Sequence, residues 1–498
     1  MHEQDLLDDA QMSAFLADGY VVLRPADVPE RIHATLFAQA AQLYDEVRRV
    51  GGSTTHLQSL GDNVLARIPE LYEVLNARAV TGALTSILGP GYVLHPHHFV
   101  HSAGRADQGF HQDGNLPWNT RGYFRSHRPI SAILFYYPQA VTDAMGPTEV
   151  LPGTQYWSGN FEGIADWQHD DHLDRDFNAD ASRADDLAYR DARLEASLRV
   201  LPFERVERRR LTVPAGSVVI THYDLVHRGT RQAPGNAERR FMYKFFFVRT
   251  QEPRRPNWRN ATAAPDLTHA PTPIEAIIAR VWSWLRAEQT SATPTADIAR
   301  LARALHSADE SQRRAAGYTL GYAGAAAVDT LVQALNDTAA PVRRMAAFGL
   351  GETRCATGAA IAALTASLAD DDELVRSNSA FSLGSLARVA ALPATTIDVL
   401  LARLDPAREP DNTDSANMSR STVRECVAHA LLQAACNGRL DDRQRQQVAV
   451  VGLADSDRYV RGLTVRALRH DPNAAIPVWL DQVLGYLDSR QYQQLPAS

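Results

Sequence analysis

The sequence predicts a two-domain α+β protein, in which a double-sheet jelly roll with flanking helices is followed by an all-α solenoid. Three observations support this fold class. The first half of the 498-residue chain contains short β-branched and aromatic segments bounded by Gly or Pro. The second half repeats one helical pattern several times. A proline-rich stretch joins the two halves.

Helical segments open the first half. A short helix over residues 11–16 stops before Gly19 and leads into a strand over residues 20–23. Residues 31–49 carry apolar side chains at helical spacing, which predicts an amphipathic helix. We expect these helices to flank the sheets, because an apolar helical face has to be buried.

Strand-like segments make up most of the remaining first half. They comprise residues 92–101, 130–137, 148–151, 217–223 and 240–248. The long connections between them favour a double-sheet jelly roll over a parallel α/β sheet. An insert over residues 158–200 is crowded with aspartate, and we interpret it as a solvated lid.

The changes in composition along the chain set the predicted domain boundaries. Residues 1–252 are assigned to the jelly roll. Residues 253–295 are assigned to a proline-rich linker and a connecting helix. Residues 296–498 are assigned to the solenoid.

The solenoid assignment depends on internal repeats. Residues 312–321, 342–351 and 375–384 share one order of basic, small and apolar residues, and weaker copies begin at Val423 and Val460. Each helix pair in such an array buries its apolar stripe against the next pair. The pattern resembles HEAT repeats, specifically the short HEAT-like repeats seen in bilin lyases.

The composition narrows the classes of function. Lys+Arg total 51 and Asp+Glu 58, a net charge of −7 that argues against a dedicated nucleic-acid-binding protein. Three scattered cysteines exclude a disulfide framework and favour a reducing compartment. We find no apolar run long enough to span a membrane and no signal peptide, so we expect a cytoplasmic protein with no membrane partner. Lys244 is the single lysine, an arginine bias typical of a GC-rich bacterial genome.

One short polar segment carries the first candidate metal ligands. His111 and Asp113 are two residues apart, so both side chains face the same way on a strand. His227 follows a later predicted strand and is placed to supply a third ligand. Two imidazoles and one carboxylate on one face of Fe(II) leave positions open for a chelating co-substrate and dioxygen.

Two adjacent arginines are candidates for binding the far carboxylate of a dicarboxylate co-substrate, because a guanidinium group binds a carboxylate through two hydrogen bonds. Alternation places Arg239 on the same strand face as four aromatic side chains, and Arg240 on the more polar face with Met242 and Lys244. We expect the aromatic face to line the barrel. This interpretation favours Arg239 and keeps Arg240 as the alternative.

Several ordered motifs of the first half resemble the phytanoyl-CoA dioxygenase family of Fe(II)/2-oxoglutarate-dependent oxygenases. They are DGYVVL at 18–23, HQD at 111–113, GPTEVLPGT at 146–154, the segment 216–227, and the pair Arg239 and Arg240. The resemblance covers roughly residues 8–250. The ordered set is more specific than any one of its motifs.

The resemblance implies a double-stranded β-helix, the cupin-like form of the jelly roll. It implies that iron is bound by His111, Asp113 and His227, and that Arg239 binds the distal carboxylate of 2-oxoglutarate. Gln112 matches a family position beside the co-substrate. The implied reaction uses dioxygen and converts 2-oxoglutarate to succinate and carbon dioxide while a substrate is oxidised.

Three further positions bear on the chemistry that the resemblance implies. His101 stands where several family members have a co-substrate-binding lysine, and a histidine there still offers a hydrogen bond. Phe135 stands where some members have tryptophan. Related halogenases have a small residue at the position of Asp113, so a carboxylate here favours hydroxylation, or else desaturation or ring formation. We expect the loop after Asp113 to line the substrate pocket through Asn115, Trp118, Arg121 and Tyr123.

The leading hypothesis is therefore an enzyme that hydroxylates a small molecule in bacterial specialised metabolism, that is, in biosynthesis. One alternative is an inactive jelly roll that acts with the solenoid as a protein-interaction scaffold. Another is an oxygenase whose substrate is bound to a carrier or is itself a protein. We expect the solenoid to cover the mouth of the barrel or to mediate dimerisation.

Overall fold

The computed structural model describes most of the chain. The described residues are 2–49, 64–104, 106–113, 126–157, 173, 186–201, 203, 206–268, 270, 274–288, 295–411 and 419–474. Within them, no helix combines the length and the apolar composition that crossing a membrane requires. The predicted pocket residues Asn115, Trp118, Arg121 and Tyr123 lie outside the described residues.

Helices of the first half precede and flank the strands. They are α1 Asp9–Asp18, α2 Glu30–Arg49, α3 Val64–Arg67, α4 Leu71–Leu75, α5 Arg78–Leu88 and α6 Leu187–Ser197. The expected amphipathic helix at 31–49 is confirmed by α2. The first helix ends where Gly19 adopts φ +83°, a left-handed conformation that favours glycine.

The strands form two antiparallel sheets, and two of them, Arg209–Arg210 and His227–Gly229, were not predicted from the sequence. The strands are β1 Tyr20–Leu23, β2 Val93–Ser102, β3 Ser131–Tyr137, β4 Thr148–Val150, β5 Arg209–Arg210, β6 Ser217–His222, β7 His227–Gly229 and β8 Phe241–Val248. The larger sheet has the order β1-β6-β3-β8-β2 and the smaller sheet the order β5-β4-β7. All recorded strand pairs are antiparallel.

The larger sheet is covered on both faces. One face packs against helices of the first half, where Tyr243 donates a hydrogen bond to the Leu36 carbonyl of α2 (2.7 Å). The other face packs toward the smaller sheet, where Phe135 and Phe246 share a core with Val150 of β4. Both faces of β8 are therefore buried.

The insert over 158–200 differs from the expected solvated lid where it is described. Residues 187–197 form helix α6. Leu194 and Leu198 are buried with Phe110, which immediately precedes His111. The sequence did not predict this helix, because aspartates surround its few apolar side chains. Most of those aspartates lie outside the described residues.

The second half is helical throughout its described part, as expected. Its helices are α7 Glu275–Leu285, α8 Thr295–Ala304, α9 Glu310–Tyr322, α10 Val328–Ala334, α11 Ala340–Glu352, α12 Gly358–Ser367, α13 Glu373–Ala387, α14 Ala394–Arg403, α15 Thr422–Cys436, α16 Asp442–Leu453 and α17 Arg458–His470. Repeat arginines pair with the next aspartate-rich turn, as Arg343 does with Asp370 (2.7 Å).

The two halves meet across a largely buried polar junction. Arg388 Nε of α13 lies 2.9 Å from Glu252 Oε1, just after β8. Arg128 Nη1, just before β3, lies 2.8 Å from Glu352 Oε2 at the end of α11. Gln433 of α15 adds a hydrogen bond to the Arg249 carbonyl (3.0 Å). The strands of the first half and the solenoid are thus joined through charged and polar side chains.

Candidate metal centre

Two histidines are brought together by the backbone. His111 forms an isolated β-bridge with His227, the first residue of β7. Each residue's N–H donates to the other's carbonyl, at 3.0 and 2.9 Å. Residues paired in this way across antiparallel segments project their side chains to the same side, and the two imidazole centroids lie 4.6 Å apart.

Asp113 completes a buried group of three. Its Oδ1 lies 3.9 Å from His111 Nε2, and its Oδ2 lies 3.8 Å from His227 Nε2. One ligand atom from each of the three residues falls within 4.8 Å of the others. The structure thus assembles the three residues that the sequence analysis proposed as metal ligands.

Backbone carbonyls fix the orientation of both imidazoles. His111 Nδ1 lies 2.9 Å from the Gly109 carbonyl, and His227 Nδ1 lies 2.9 Å from the Leu225 carbonyl. A carbonyl only accepts hydrogen bonds, so each Nδ1 carries the proton. Protonation at Nδ1 makes Nε2 the metal-binding atom of a neutral ring, which is the usual arrangement of metal-binding histidines.

The protonation states also suit a cation. Burial acts to raise the pKa of Asp113, but the ammonium of Lys244 and the two nearby imidazoles hold it well below its usual range. Burial lowers the pKa of His227 to about 3. At neutral pH the group therefore offers an ionised carboxylate and a neutral His227 imidazole, which is the donor set that Fe(II) takes.

Lys244 is the residue of this group that the sequence analysis did not identify. Its Nζ lies 2.5 Å from Asp113 Oδ2, a close ion pair that is not aligned as a hydrogen bond. Alternation had placed it on the polar face of β8, which was not expected to line the barrel. The sequence feature that distinguishes Lys244, and that could have identified it, is that it is the one lysine of the chain.

The expected orientation of Arg239 and Arg240 is wrong. Arg239 is partly exposed, pairs with Asp45 of α2 (3.2 Å) and lies over the Phe241 ring. Arg240 is 3% exposed on the same strand face as Lys244. The side chains of Phe241, Tyr243, Phe245 and Phe247 pack outward against the helices. The alternate side chains of β8, which include Lys244 and Phe246, therefore face the smaller sheet.

Arg240 has unsatisfied donors. Its Nε and Nη1 are buried and have no hydrogen-bond partner among the described residues. Burial lowers its pKa, and the hydroxyls of Tyr137 and Tyr44 are its nearby polar groups. A buried guanidinium with unused donors is costly unless an anion binds it. The alternative that the sequence analysis kept open is therefore the better candidate for a carboxylate site.

The remaining predicted co-substrate residues differ in their surroundings. Phe135 is buried against the His227 ring, with centroids 5.6 Å apart. His101 is partly buried on β2, beside Phe99 (4.5 Å between ring centroids). Gln112 is buried, but its amide donates to the backbone carbonyls of Asp224 (2.8 Å) and Trp157 (3.1 Å). That amide therefore ties the segment beside the histidines to the neighbouring loops.

Comparison with protein families identifies two kinds of module. The phytanoyl-CoA dioxygenase (PhyH) family model matches residues 2–240. The HEAT-repeat family model matches residues 298–384 and 328–418. The solenoid repeats expected from the sequence are thereby confirmed. No curated protein matches the chain in a sequence search.

Several solved structures match about half of the chain or less. A non-heme alpha-ketoglutarate-dependent carbocyclase from nogalamycin biosynthesis, SnoK, is 14% identical, with 50% of this chain and 87% of that chain covered and a TM-score of 0.34. CytC3 with Fe(II) and alpha-ketoglutarate is 14% identical, with coverage of 49% and 78% and a TM-score of 0.32. The CpcE–CpcF complex of phycocyanin lyase from Nostoc sp. PCC7120 is 25% identical, with coverage of 40% and 71% and a TM-score of 0.29.

Proposed function

We propose that the phytanoyl-CoA dioxygenase family domain at residues 2–240 is a non-heme Fe(II)- and 2-oxoglutarate-dependent oxygenase that hydroxylates a small molecule. The observation that carries the proposal is the buried cluster of His111, Asp113 and His227, with both Nδ1 atoms held by backbone carbonyls and the carboxylate ionised. Within this proposal, the two antiparallel sheets are the halves of a double-stranded β-helix.

Each polar group of the site has a role in this proposal. His111, Asp113 and His227 hold Fe(II), which supplies dioxygen activation coupled to the decarboxylation of 2-oxoglutarate to succinate and carbon dioxide. Arg240 binds the distal carboxylate of 2-oxoglutarate, because its buried donors lack other partners. The proposal thus moves the co-substrate role from Arg239 to Arg240.

The apolar side chains around the cluster exclude water. Phe135 contacts the His227 ring, and Phe99 and Phe246 belong to the same buried core. Excluding water from such a site strengthens electrostatic contacts and limits side reactions of the oxidant. Because Asp113 keeps the carboxylate ligand in place, hydroxylation is the proposed outcome, with desaturation or ring formation as variants of the same hydrogen abstraction.

The solenoid is proposed to cover the jelly roll beside this site. His127, fourteen positions along the chain from Asp113, stacks on Tyr318 of α9 (4.5 Å between centroids). On β2, His97 Nδ1 lies 2.6 Å from Tyr459 Oη of α17. These contacts favour a covering role over dimerisation. The same proposal includes a division of the chain into domains at residues 1–252, 253–295 and 296–498. It also includes a substrate from specialised metabolism and a cytoplasmic location.

A scaffold function without catalysis is the competing hypothesis. A scaffold has no need for a buried Arg240 with unused donors or for two histidines with fixed tautomers beside a carboxylate. Burying such groups costs several kcal/mol unless a ligand or partner compensates them. These features favour an enzyme, whether its substrate is free or carrier-bound.

An anaerobic titration tests the proposal. Fe(II) and then 2-oxoglutarate are added to the metal-free full-length protein, and the visible charge-transfer absorption of the chelated co-substrate is recorded. We expect the band in the wild type and its loss in His111→Ala. His306→Ala, at a partly exposed solenoid histidine, is the matched control and retains the band. Folded wild-type protein that shows no band overturns the oxygenase assignment.

A further inference from the structure

Lys244 is the one lysine in a chain whose Lys+Arg total is 51. Arginine fills every other cationic side-chain position except those taken by histidine. The exception is not at the surface, where the choice between the two cations matters least. It is a 4% exposed residue in the middle of β8, where a charge is costly unless it is paired.

The surroundings of Lys244 connect it to the metal centre. Its Nζ forms the ion pair with Asp113 Oδ2 at 2.5 Å. The rings of Phe99, Phe135 and Phe246 lie 5.7, 5.5 and 5.2 Å from the same atom. Three aromatic rings at this distance stabilise an ammonium by cation–π attraction. The lysine is thus held in place by an aromatic cage, and its charge is directed at one carboxylate oxygen.

We propose that Lys244 is a positioning residue of the metal centre: its ammonium engages Oδ2 of Asp113, so that this carboxylate offers the metal a single oxygen. The inference rests on the proposed function, because it concerns a ligand of the proposed iron. A carboxylate that coordinates through both oxygens takes a position that a chelating co-substrate or dioxygen requires. Groups that contact metal ligands in this way set ligand orientation.

The choice of lysine over arginine fits this role. An ammonium is a compact charge on a flexible stem, and it fits between three rings. A guanidinium group is planar and tends to engage both oxygens of a carboxylate. The role proposed here requires that one oxygen stays available, which only the smaller cation allows.

The single lysine permits a direct test on the intact wild-type chain. Protein grown on lysine labelled with ¹³C at Cε gives one lysine Cε signal by NMR. We expect paramagnetic Co(II) to shift or broaden this signal strongly, and diamagnetic Zn(II) to move it only slightly. In Asp113→Asn the Cε signal of the metal-free protein moves, because its ion-pair partner is lost.

The outcome of the Co(II) experiment distinguishes failure of the positioning role of Lys244 from failure of the proposed function. If Co(II) binds, as its visible absorption reports, and the Lys244 signal is unchanged, the positioning role is wrong and the proposed function stands. If neither Co(II) nor Fe(II) binds to the folded protein, the proposed function fails and the positioning role fails with it.

A variant series separates positioning from mere packing. Lys244→Met keeps the length of the side chain and its aromatic contacts but removes the charge. We expect the Fe(II)-loaded variant to bind 2-oxoglutarate about tenfold more weakly or worse, by the same charge-transfer titration, with the metal still bound. Lys244→Gln, a neutral donor, restores part of the affinity.

The matched control for this series is Met242→Leu, on the same face of β8 two residues away. We expect Met242→Leu to bind 2-oxoglutarate with the affinity of the wild type in the same titration. If Lys244→Met also titrates as the wild type, or if Met242→Leu loses as much affinity, the ion pair has no role in co-substrate binding and the proposal is overturned.

Discussion

Arg240 and Arg239 are neighbours in the chain, but their guanidinium groups have different surroundings. Arg240 is buried with two unused donors, whereas Arg239 is partly exposed, pairs with Asp45 and leaves only one buried donor, Nη2, unused. A hydrogen bond to a charged group contributes about 1.5–3 kcal/mol. We therefore expect Arg240→Met to weaken 2-oxoglutarate binding at least tenfold, since about 1.4 kcal/mol corresponds to a factor of ten.

Arg239→Met is the matched control, because it removes the same functional group one residue away. We expect its 2-oxoglutarate affinity to stay within about twofold of the wild type, since exposed ion pairs contribute little. Isothermal titration calorimetry of the Fe(II)-loaded proteins under nitrogen measures the 2-oxoglutarate affinity of both variants. Equal losses in the two variants, or a larger loss for Arg239→Met, contradict the assignment of the carboxylate site to Arg240.

At the scale of single residues, the sequence predicted which side chains come together better than it predicted strand orientation. His111 and Asp113 follow from a two-residue spacing, and the backbone bridge places His227 beside them. The orientation of β8 was mispredicted because aromatic residues were taken as barrel-lining. The helices of the first half cover that aromatic face, as the contact between Tyr243 and α2 shows, and spacing along one strand does not indicate which layer covers which face.

At the scale of elements, small residues let the repeat helices approach closely. A Cβ added to Gly351 of α11 would lie 2.4 Å from Ser382 Oγ and 2.9 Å from Ser382 Cα of α13. The second of these atoms is backbone, so α11 and α13 have to move apart. We expect Gly351→Ala to lower the free energy of unfolding by about 1–3 kcal/mol, the usual cost of overpacking.

Gly358→Ala provides the matched comparison. It lies in α12, and an added Cβ there meets nothing within 4 Å. Alanine favours helix by up to about 1 kcal/mol, so we expect a neutral or slightly stabilising effect. Urea unfolding of the three proteins, followed by circular dichroism, measures the differences. If Gly351→Ala is as stable as Gly358→Ala, α11 and α13 are not packed so closely at Gly351 that an added methyl group destabilises the protein.

The sequence predicted well those helices whose residues follow a regular pattern along the chain. The helix at 31–49 buries a regular apolar stripe, and the solenoid helices repeat one order of residues along the chain. Helix α6 was missed because its few buried leucines lie among aspartates, and the surface that buries Leu194 is formed by Phe110 from a distant segment. Long-range partners of this kind are absent from any local pattern.

At the scale of the whole molecule, buried charges join the strands of the first half to the solenoid. Glu252, just after β8, pairs with Arg388 of α13 (2.9 Å), and Arg354 Nε lies 3.6 Å from the same carboxylate oxygen. Burial acts to raise the pKa of Glu252, but Arg354 and Arg388 lower it to about 2. The three groups come from both halves of the chain, so the pairing depends on their association.

Replacing Glu252 by Gln removes the carboxylate that pairs with Arg388 and one of the two carboxylates near Arg354, which also lies 3.5 Å from Glu352. Removing one partner of a buried pair costs about 3–5 kcal/mol, so we expect Glu252→Gln to lower the unfolding free energy by about 3 kcal/mol at pH 7. Glu30→Gln, which removes an exposed partner of Arg24, is the matched control. We expect it to change stability by less than about 1 kcal/mol.

The pH dependence of the same variant tests the cause. A carboxyl group whose pKa is lower in the folded protein stabilises the fold fully above its unfolded pKa, about 4.3. That contribution is lost as the pH falls toward the folded value of about 2. The wild-type advantage over Glu252→Gln should therefore be constant from pH 7 to about 5 and narrow below about pH 4.5. Denaturant unfolding at several pH values measures it. An advantage that stays constant into the acid range means that Glu252 acts through packing rather than charge, and the solenoid is then held on the antiparallel sheets by its apolar contacts.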